Sequence, residues 1–307
     1  MSQAHAPQRS NPARQFLAGS LAGVVASSVL TPLEVVKTRL QASGATRMRL
    51  DKILVNIMKT EGIRGLWRGV GINVLGVAPA RAVHFSAYNY FKTQAGDNFG
   101  IHGTPQHLIA GAMASCTAAT VTSPIWVIKT RVQLQRAPIK GQAMTAAEMA
   151  YATPLSAIRA IAKTEGFPGF FRGLTASYLG VGESAMQFAL YEALRGAYLR
   201  AYHPRGGPEE RASLPMGASL VLGAAAKLVA SAVTYPHEVV RTRMREIPPE
   251  GSGGRPVYGS VVSTVKTVLR QEGVRGLYGG MLPHLVRTVP NAAILLLVVE
   301  AVSGRGL

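Results

Sequence analysis

The sequence predicts an all-α membrane protein of six transmembrane helices in three repeats. Three observations carry that expectation: a two-part motif that recurs three times in one order, uncharged stretches long enough to cross a bilayer, and a composition at once apolar and cationic. The first part of the motif reads PLEVVKTRLQ from Pro32, PIWVIKTRVQ from Pro124 and PHEVVRTRMR from Pro236. The second part reads EGIRGLWRG from Glu61, EGFPGFFRG from Glu165 and EGVRGLYGG from Glu272. Two blocks that recur together, in order, mark an internal triplication. The extra length in the later repeats falls mostly in Pro- and Gly-containing stretches at 137–141 and 248–256, which read as loops. The expected units are a flexible N-terminus at 1–13 and repeats at 14–95, 104–200 and 213–304.

Hydrophobic residues make up 48% of the chain and charged residues 16%, with a mean hydropathy of +0.17. Helices wrapped in lipid on every side would be more apolar, and an ordinary basic soluble domain less so; a water-lined bundle satisfies both numbers. The net charge of +18 calls for an anionic partner: nucleic acid, acidic lipid or a small polyanion. Paired Cys and His ligands, aromatic RNP strands and a basic zipper helix are all missing from the sequence, so no nucleic acid is expected. Cys116 is the single cysteine, which excludes an internal disulfide or a cysteine metal cluster, and neither metal nor cofactor is expected. Residues 1–14 hold two arginines and no acid, a faint likeness to a transit peptide, but without an amphipathic helix they read as a disordered cap.

The spans follow in order. Residues 15–33 and 98–128 carry no Asp, Glu, Lys or Arg and are long enough to cross the hydrocarbon core. The other four are interrupted: 69–91 by Arg81, 173–191 by Glu183, 212–237 by Lys227 and 280–299 by Arg287. A charge in mid-span faces an aqueous cavity or a partner. Gly19 and Gly23 form a GxxxG pair suited to close helix approach, and the same register holds Gly111 with Ser115 and Gly223 with Lys227. A proline inside each odd span removes a backbone hydrogen bond and kinks the helix, so three helix ends can converge and close a gate.

These residues resemble the mitochondrial carrier family over nearly the whole chain, through the Pro-x-acid-x-x-base-x-base blocks and the aromatic-basic-glycine steps. Within it they are most similar to the pyrimidine nucleotide carriers, on PIWVIKTRVQLQ from Pro124, YPHEVVRTR from Tyr235, GVAPARAVHF from Gly76 and LTASYLGVGES from Leu174. Flavin, folate and nicotinamide dinucleotide carriers are similar around Trp126 and stay open as alternatives. The resemblance implies pseudo-threefold symmetry and short matrix helices. It also implies a transporter of the mitochondrial inner membrane, multi-pass, that exchanges nucleotide di- and triphosphates by alternating access, binds cardiolipin, works as a monomer and catalyses no reaction.

The resemblance assigns a matrix gate in which Glu34 pairs with Lys129 and Glu238 with Lys37. Trp126 stands where the third acid belongs and is expected to face Arg241 through a cation–π contact of about 0.5–2 kcal/mol. Gln41 and Gln133 resemble the family's glutamine braces, and repeat three has Arg245 instead. The opposite, cytoplasmic gate is complete only at Tyr191, Glu192 and Arg195. Repeat one has Tyr88, Asn89 and Lys92, and repeat three has Val299, Glu300 and Ser303. Pairing Lys92 with Glu192 and Arg195 with Glu300 leaves uncharged Asn89 and Ser303 facing each other.

A ligand without threefold symmetry must be read by residues that break it. Gly76, Gly180 and Arg287 stand at equivalent positions and match the family's three contact points. Arg287 offers a guanidinium fork for phosphate, and Gly180 with Val181 a small shelf for a planar base. Arg81 and Lys227 have no charged equivalents and complete the expected substrate site, although Arg81 has a rival role as a structural cation against Glu183. The steps Trp67-Arg68-Gly69, Phe171-Arg172-Gly173 and Tyr278-Gly279-Gly280 precede even helices whose free amides attract phosphate, so they are the expected cardiolipin contacts, with Tyr258 and Gly259 as a further one. Replacing Lys92 and Glu192 singly and together should change transport non-additively; simple additivity would refute their pairing.

Overall fold

The computed structural model describes residues 12–43, 50–135, 149–202, 214–249, 252 and 254–303, with the backbone alone at 12–20, 216, 289, 292–293, 295–297 and 299–303. The expected N-terminal cap therefore lies mostly outside the described residues. Helices α1 (Pro12–Gln41), α2 (Leu50–Thr60) and α3 (Val70–Asp97) form the first repeat. The second holds α4 (Thr104–Leu134), α5 (Pro154–Thr164), α6 (Leu174–Leu179) and α7 (Val181–Tyr202). The third holds α8 (Met216–Thr234), α9 (Pro236–Met244), α10 (Val261–Glu272) and α11 (Met281–Ser303). No strand occurs among the described residues. The long helices pack as a closed ring, α1 on α3, α3 on α4, α4 on α6 and α7, α7 on α8, α8 on α11 and α11 back on α1.

The three motif prolines sit inside this ring's odd helices. Pro32 and Pro124 lie within α1 and α4, while Pro236 opens α9 directly after Tyr235, which keeps right-handed helical angles. α8 and α9 are thus one helix with a defect. A proline cannot donate to the carbonyl one turn back. At Pro32 that carbonyl belongs to Ser28, and the Trp67 indole Nε1 donates to it at 3.0 Å. Threonine hydroxyls around the kinks donate to their own helix, Thr31 to Ser27 O at 2.6 Å and Thr122 to Ala118 O at 2.7 Å, which satisfies them without water.

Each repeat next turns through a short amphipathic helix. α5 and α10 begin with reciprocal capping boxes, Thr153 with Ser156 and Ser260 with Ser263. Each short helix buries one stripe, Ile53 and Ile57 in α2, Ala157 and Ile161 in α5, Thr264 and Val268 in α10. Each is stapled to its odd helix by the motif's second base and second acid: Arg39 to Glu61 at 2.5 and 2.9 Å, Arg131 to Glu165, and Arg243 to Glu272 at 2.7 Å. One 3₁₀ turn follows, at Ile63–Trp67, Phe167–Phe171 and Val274–Tyr278.

All three buried clusters lie at this motif end. One joins Val35, Val36 and Leu40 to Ile53 and Ile57; the others centre on Val127 with Ile161 and on Val240 with Val268. At the other end, α7 buries no residue. Packing is thus concentrated where the prolines converge. Among the described residues three stretches, Leu21–Gln41, Thr104–Leu134 and Gly217–Thr234, are apolar and long enough to cross a membrane by length and composition alone. Elsewhere polar groups interrupt the apolar length, as Arg81 and His84 do in α3 and Glu183 does in α7.

The GxxxG register is used once in the way expected. A Cβ at Gly23 would stand 2.8 Å from Val77 Cγ1, so α1 and α3 touch there. Gly111 and Gly223 have open space around them and carry no such contact, because their faces turn away from the neighbouring helix.

The Arg131 side chain is fully buried and Glu165 nearly so. Glu165→Gln should therefore cost about 3–5 kcal/mol by leaving an uncompensated buried cation, read as a lower unfolding midpoint in detergent.

Candidate functional site

The convergence of the three kinked helices places the gate residues around one axis. Lys129 Nζ lies 2.7 Å from Glu34 Oε1, and Lys37 Nζ 2.6 Å from Glu238 Oε2, so both expected inter-repeat pairs are formed. The third contact differs from expectation. Arg241 turns to Glu238 on its own helix, and the cation over the Trp126 ring is Lys129, 5.0 Å from the centroid. A carboxylate in a water-poor interior attracts a guanidinium more strongly than a ring quadrupole does, and Glu238 is only one turn away. The Trp126 Nε1 donates to Thr122 Oγ1 at 2.8 Å.

Each gate carboxylate is consequently shared by two cations. Glu34 holds Lys129 and also Arg287, whose Nη1 lies 3.3 Å away; Glu238 holds Lys37 and Arg241. The lysine side chains are 8% exposed, against 29% for Arg241 and 30% for Arg287. The lysines thus sit inside the ring while the arginines stay partly exposed.

The brace positions also diverge. Gln41 donates to Tyr235 OH at 2.9 Å and accepts from Thr242 at 2.8 Å, tying repeat one to repeat three. Gln133 accepts from Thr38 at 3.2 Å, while its own buried Nε2 finds no partner. Arg245 donates to Arg172 O at 3.4 Å and to Ser177 Oγ at 3.2 Å.

Several functional side chains escaped the sequence reading. Asn73, Ser177 and His284 each follow the second-block glycine by one helical turn. Asn73 accepts from Lys129 at 2.7 Å and donates to Glu34 at 3.2 Å; His284 Nδ1 accepts from Lys37 at 2.9 Å; Ser177 accepts from Arg245. Alignment of the three repeats could have found them, but their differing chemistry hid the equivalence. A second network joins the end of α1 to repeat three: Ser43 N donates to Glu246 Oε1 at 2.7 Å, and Ser43 Oγ lies 2.9 Å from Tyr258 OH. Burial raises the Glu246 carboxyl above its ordinary pKa. Tyr258 is 3% exposed and bonded on the inside, so it is not a lipid contact.

The expected substrate residues separate into two groups. Gly76 is buried, with a Cβ there 2.9 Å from Ile125 and 3.4 Å from Trp126; it admits the Ile125 side chain, touches the indole and offers no surface of its own. Gly180 does the same for His237, whose Nε2 would lie 2.7 Å from a Cβ, so the shelf expected with half-buried Val181 is covered on that side. Lys227 is held by Glu183 at 2.6 Å, with Ser231 donating to the same oxygen at 2.7 Å. Glu183 is therefore not the partner of Arg81. Arg81 has no carboxylate within ion-pair distance among the described residues, and it lines a groove of about 480 Å³ with His84, Phe85, Ser115, Thr122 and Trp126.

The steps before the even helices serve packing first. Gly69, Gly173 and Gly280 have φ of 79°, 74° and 75°, which favours glycine. Each also lies against the next repeat's gate helix: a Cβ would stand 3.1 Å from Gln133 Cγ, 2.9 Å from Arg241 O and 2.9 Å from Lys37 O, respectively. Arg68 donates to Val132 O at 2.8 Å and Arg172 lies 3.3 Å from Glu165, so both bases face inward. The aromatic rings remain outside, Trp67 41% and Tyr278 36% exposed, with Phe171 set 5.2 Å from Phe167.

At the opposite end the expected ring is not assembled. Lys92 and Glu192 make no ion pair with each other; Arg195 reaches Glu192 on its own helix at 3.6 Å, and Asn89 is exposed. The side chains of Glu300 and Ser303 lie outside the described residues.

The chain matches the family model described as "Mitochondrial carrier protein" in three segments, 8–99, 102–202 and 212–305. It is 35% identical to "Mitochondrial pyrimidine nucleotide transporter RIM2" of Saccharomyces cerevisiae, across 91% of this chain and 82% of that protein. It is 38% identical to "Mitochondrial carrier protein rim2" of Schizosaccharomyces pombe, across 92% and 87%, and 36% identical to "Solute carrier family 25 member 36-A" of Danio rerio, across 94% and 95%.

Shared carboxylates should blunt single substitutions. Lys129→Met leaves Glu34 with Arg287 and should cost about 1–3 kcal/mol; adding Arg287→Gln should cost more than the sum of the singles, measured by unfolding in detergent.

Proposed function

Since the chain belongs to the mitochondrial carrier family and is a mitochondrial membrane protein, we propose that it exchanges pyrimidine nucleotides across the inner membrane by alternating access, as a multi-pass monomer. The carrying observation is the gate ring, where four cations, Lys37, Lys129, Arg241 and Arg287, share the two carboxylates Glu34 and Glu238. That surplus of cations attracts a polyanion, and the two better exposed arginines present forks for phosphate oxygens. Arg287 is the primary phosphate ligand. Arg81, with no carboxylate partner among the described residues and set in its groove beside Trp126 and Phe85, is the second contact, and the aromatic rings give the base a stacking surface. Lys227 contributes when phosphate displaces Glu183.

The reaction is physical transport with no covalent step. Phosphate drawn to Arg287 and Arg241 removes one of the two cations on each gate carboxylate and weakens the closed ring. Opening there lets the far ends approach, where Lys92 meets Glu192 and Arg195 meets Glu300, with Asn89 and Ser303 between. Substrate stabilises the intermediate in which neither ring is closed.

Cardiolipin is the proposed lipid. The amides that open α3, α6 and α11 follow glycines, and Trp67, Phe171 and Tyr278 flank them at the rim. Because Arg68 and Arg172 are turned inward, backbone donors carry the headgroup.

In liposomes, the purified protein should exchange UTP and TTP and leave flavin, folate and nicotinamide dinucleotide untransported; uptake of one of these in place of UTP overturns the substrate. Arg287→Gln should lower UTP exchange by about 10–100-fold, the loss of one charge-assisted phosphate contact.

A further inference from the structure

The gate ring holds three bases and two acids, because Trp126 occupies the acid position of the second repeat. A cavity of about 320 Å³ opens at gate level, and at the seam between repeats two and three its wall includes Trp126, Lys129, Thr130, Ser177, Arg241 and Arg245. Across the whole cavity Lys37, Lys129, Arg241 and Arg245 outnumber Glu34 and Glu238. We propose that this cavity is a second anion subsite that takes the terminal phosphates of the substrate, with Arg241 and Arg245 as ligands, so that the substrate itself stands in for the absent third acid. The proposal rests on the nucleotide-exchange reading above and deepens it.

Two independent observations point to a missing anion. Arg245 is 8% exposed, and its donors reach only a carbonyl and a hydroxyl, with no carboxylate within ion-pair distance among the described residues. The first two repeats place neutral Gln41 and Gln133 there. Arg241, for its part, is the second cation on a carboxylate already held by Lys37, and it stays far better exposed than that lysine. A guanidinium in this position can exchange Glu238 for a phosphate oxygen without leaving Glu238 alone. An acid at position 126 would cancel the field of Arg241; an indole leaves it intact and adds a wall that excludes water. Thr130 and Ser177 line the same space, but their hydroxyls donate to Trp126 O at 2.8 Å and Gly173 O at 3.1 Å, so the arginines are the donors an anion meets there. A nucleoside monophosphate whose single phosphate is taken by Arg287 leaves Arg241 and Arg245 without phosphate, whereas the longer chain of a triphosphate extends to them, so the subsite reads phosphate length.

The test compares UTP with UMP in counter-exchange by the full-length protein in liposomes, and the protection against heat that inorganic pyrophosphate gives it in detergent. Two variants are used: Trp126→Glu, which supplies the missing acid, and Arg245→Gln, which installs the residue of the other two repeats. Both should raise the KM for UTP about tenfold, the worth of one charged phosphate contact, and abolish the protection by pyrophosphate; Arg245→Gln, which lies outside the base groove, should leave the KM for UMP unchanged. Equal loss for UTP and UMP in Arg245→Gln, or undiminished protection by pyrophosphate in both variants, overturns the subsite and leaves nucleotide exchange standing. Absence of exchange of any pyrimidine nucleotide by the unmodified protein overturns the transport reading and the subsite with it.

Discussion

Two carboxylates, Glu34 and Glu238, hold the proline ends of the odd helices together, and most of the molecule's behaviour follows from how they are shared. Each binds a nearly buried lysine of a different repeat and a more exposed arginine. Removing charge from water is costly unless the partners are close and hydrogen-bonded, and here Asn73 and His284 complete the lysines' shells. The arrangement is closed but convertible. On the proposed function, an incoming anion takes an arginine while the lysine stays, so the ring loosens by degrees and no carboxylate is left uncompensated.

The same sharing explains why the structure is dense at one end and open at the other. Buried clusters, the Arg-to-Glu staples and the close glycine contacts all lie with the motif blocks. The glycine before each even helix packs on the gate helix of the next repeat, in cyclic order around the axis. A change in one repeat's gate is therefore felt by its neighbour through backbone contact, which makes opening a collective event. Loss of the third acid weakens the ring at a single seam and gives an otherwise threefold device a preferred side.

Departures from threefold symmetry single out the residues that the transport reading assigns to selection. Arg81, Lys227, Arg245 and Arg287 have no charged counterparts in the other repeats, and the two glycines equivalent to Arg287 make room for Ile125 and His237. On the proposed function, the repeated residues move the molecule and the unrepeated ones read what it carries.

From the sequence alone came the triplication, the six-helix architecture and the prolines inside the odd helices, because these depend on spacing that recurs; the pairs Glu34 with Lys129 and Lys37 with Glu238 were implied by the family resemblance that the same repeats carry, and both are formed. Tertiary structure alone decided where the surplus cations go. Arg241 chose Glu238 over Trp126, Lys227 took Glu183, Arg68 and Arg172 turned inward, and Gly76 and Gly180 became seats for side chains of another helix. Such choices are competitions among partners brought together from distant parts of the chain, and in a water-poor interior the winner is set by which opposite charge lies nearest, a distance that no linear pattern encodes.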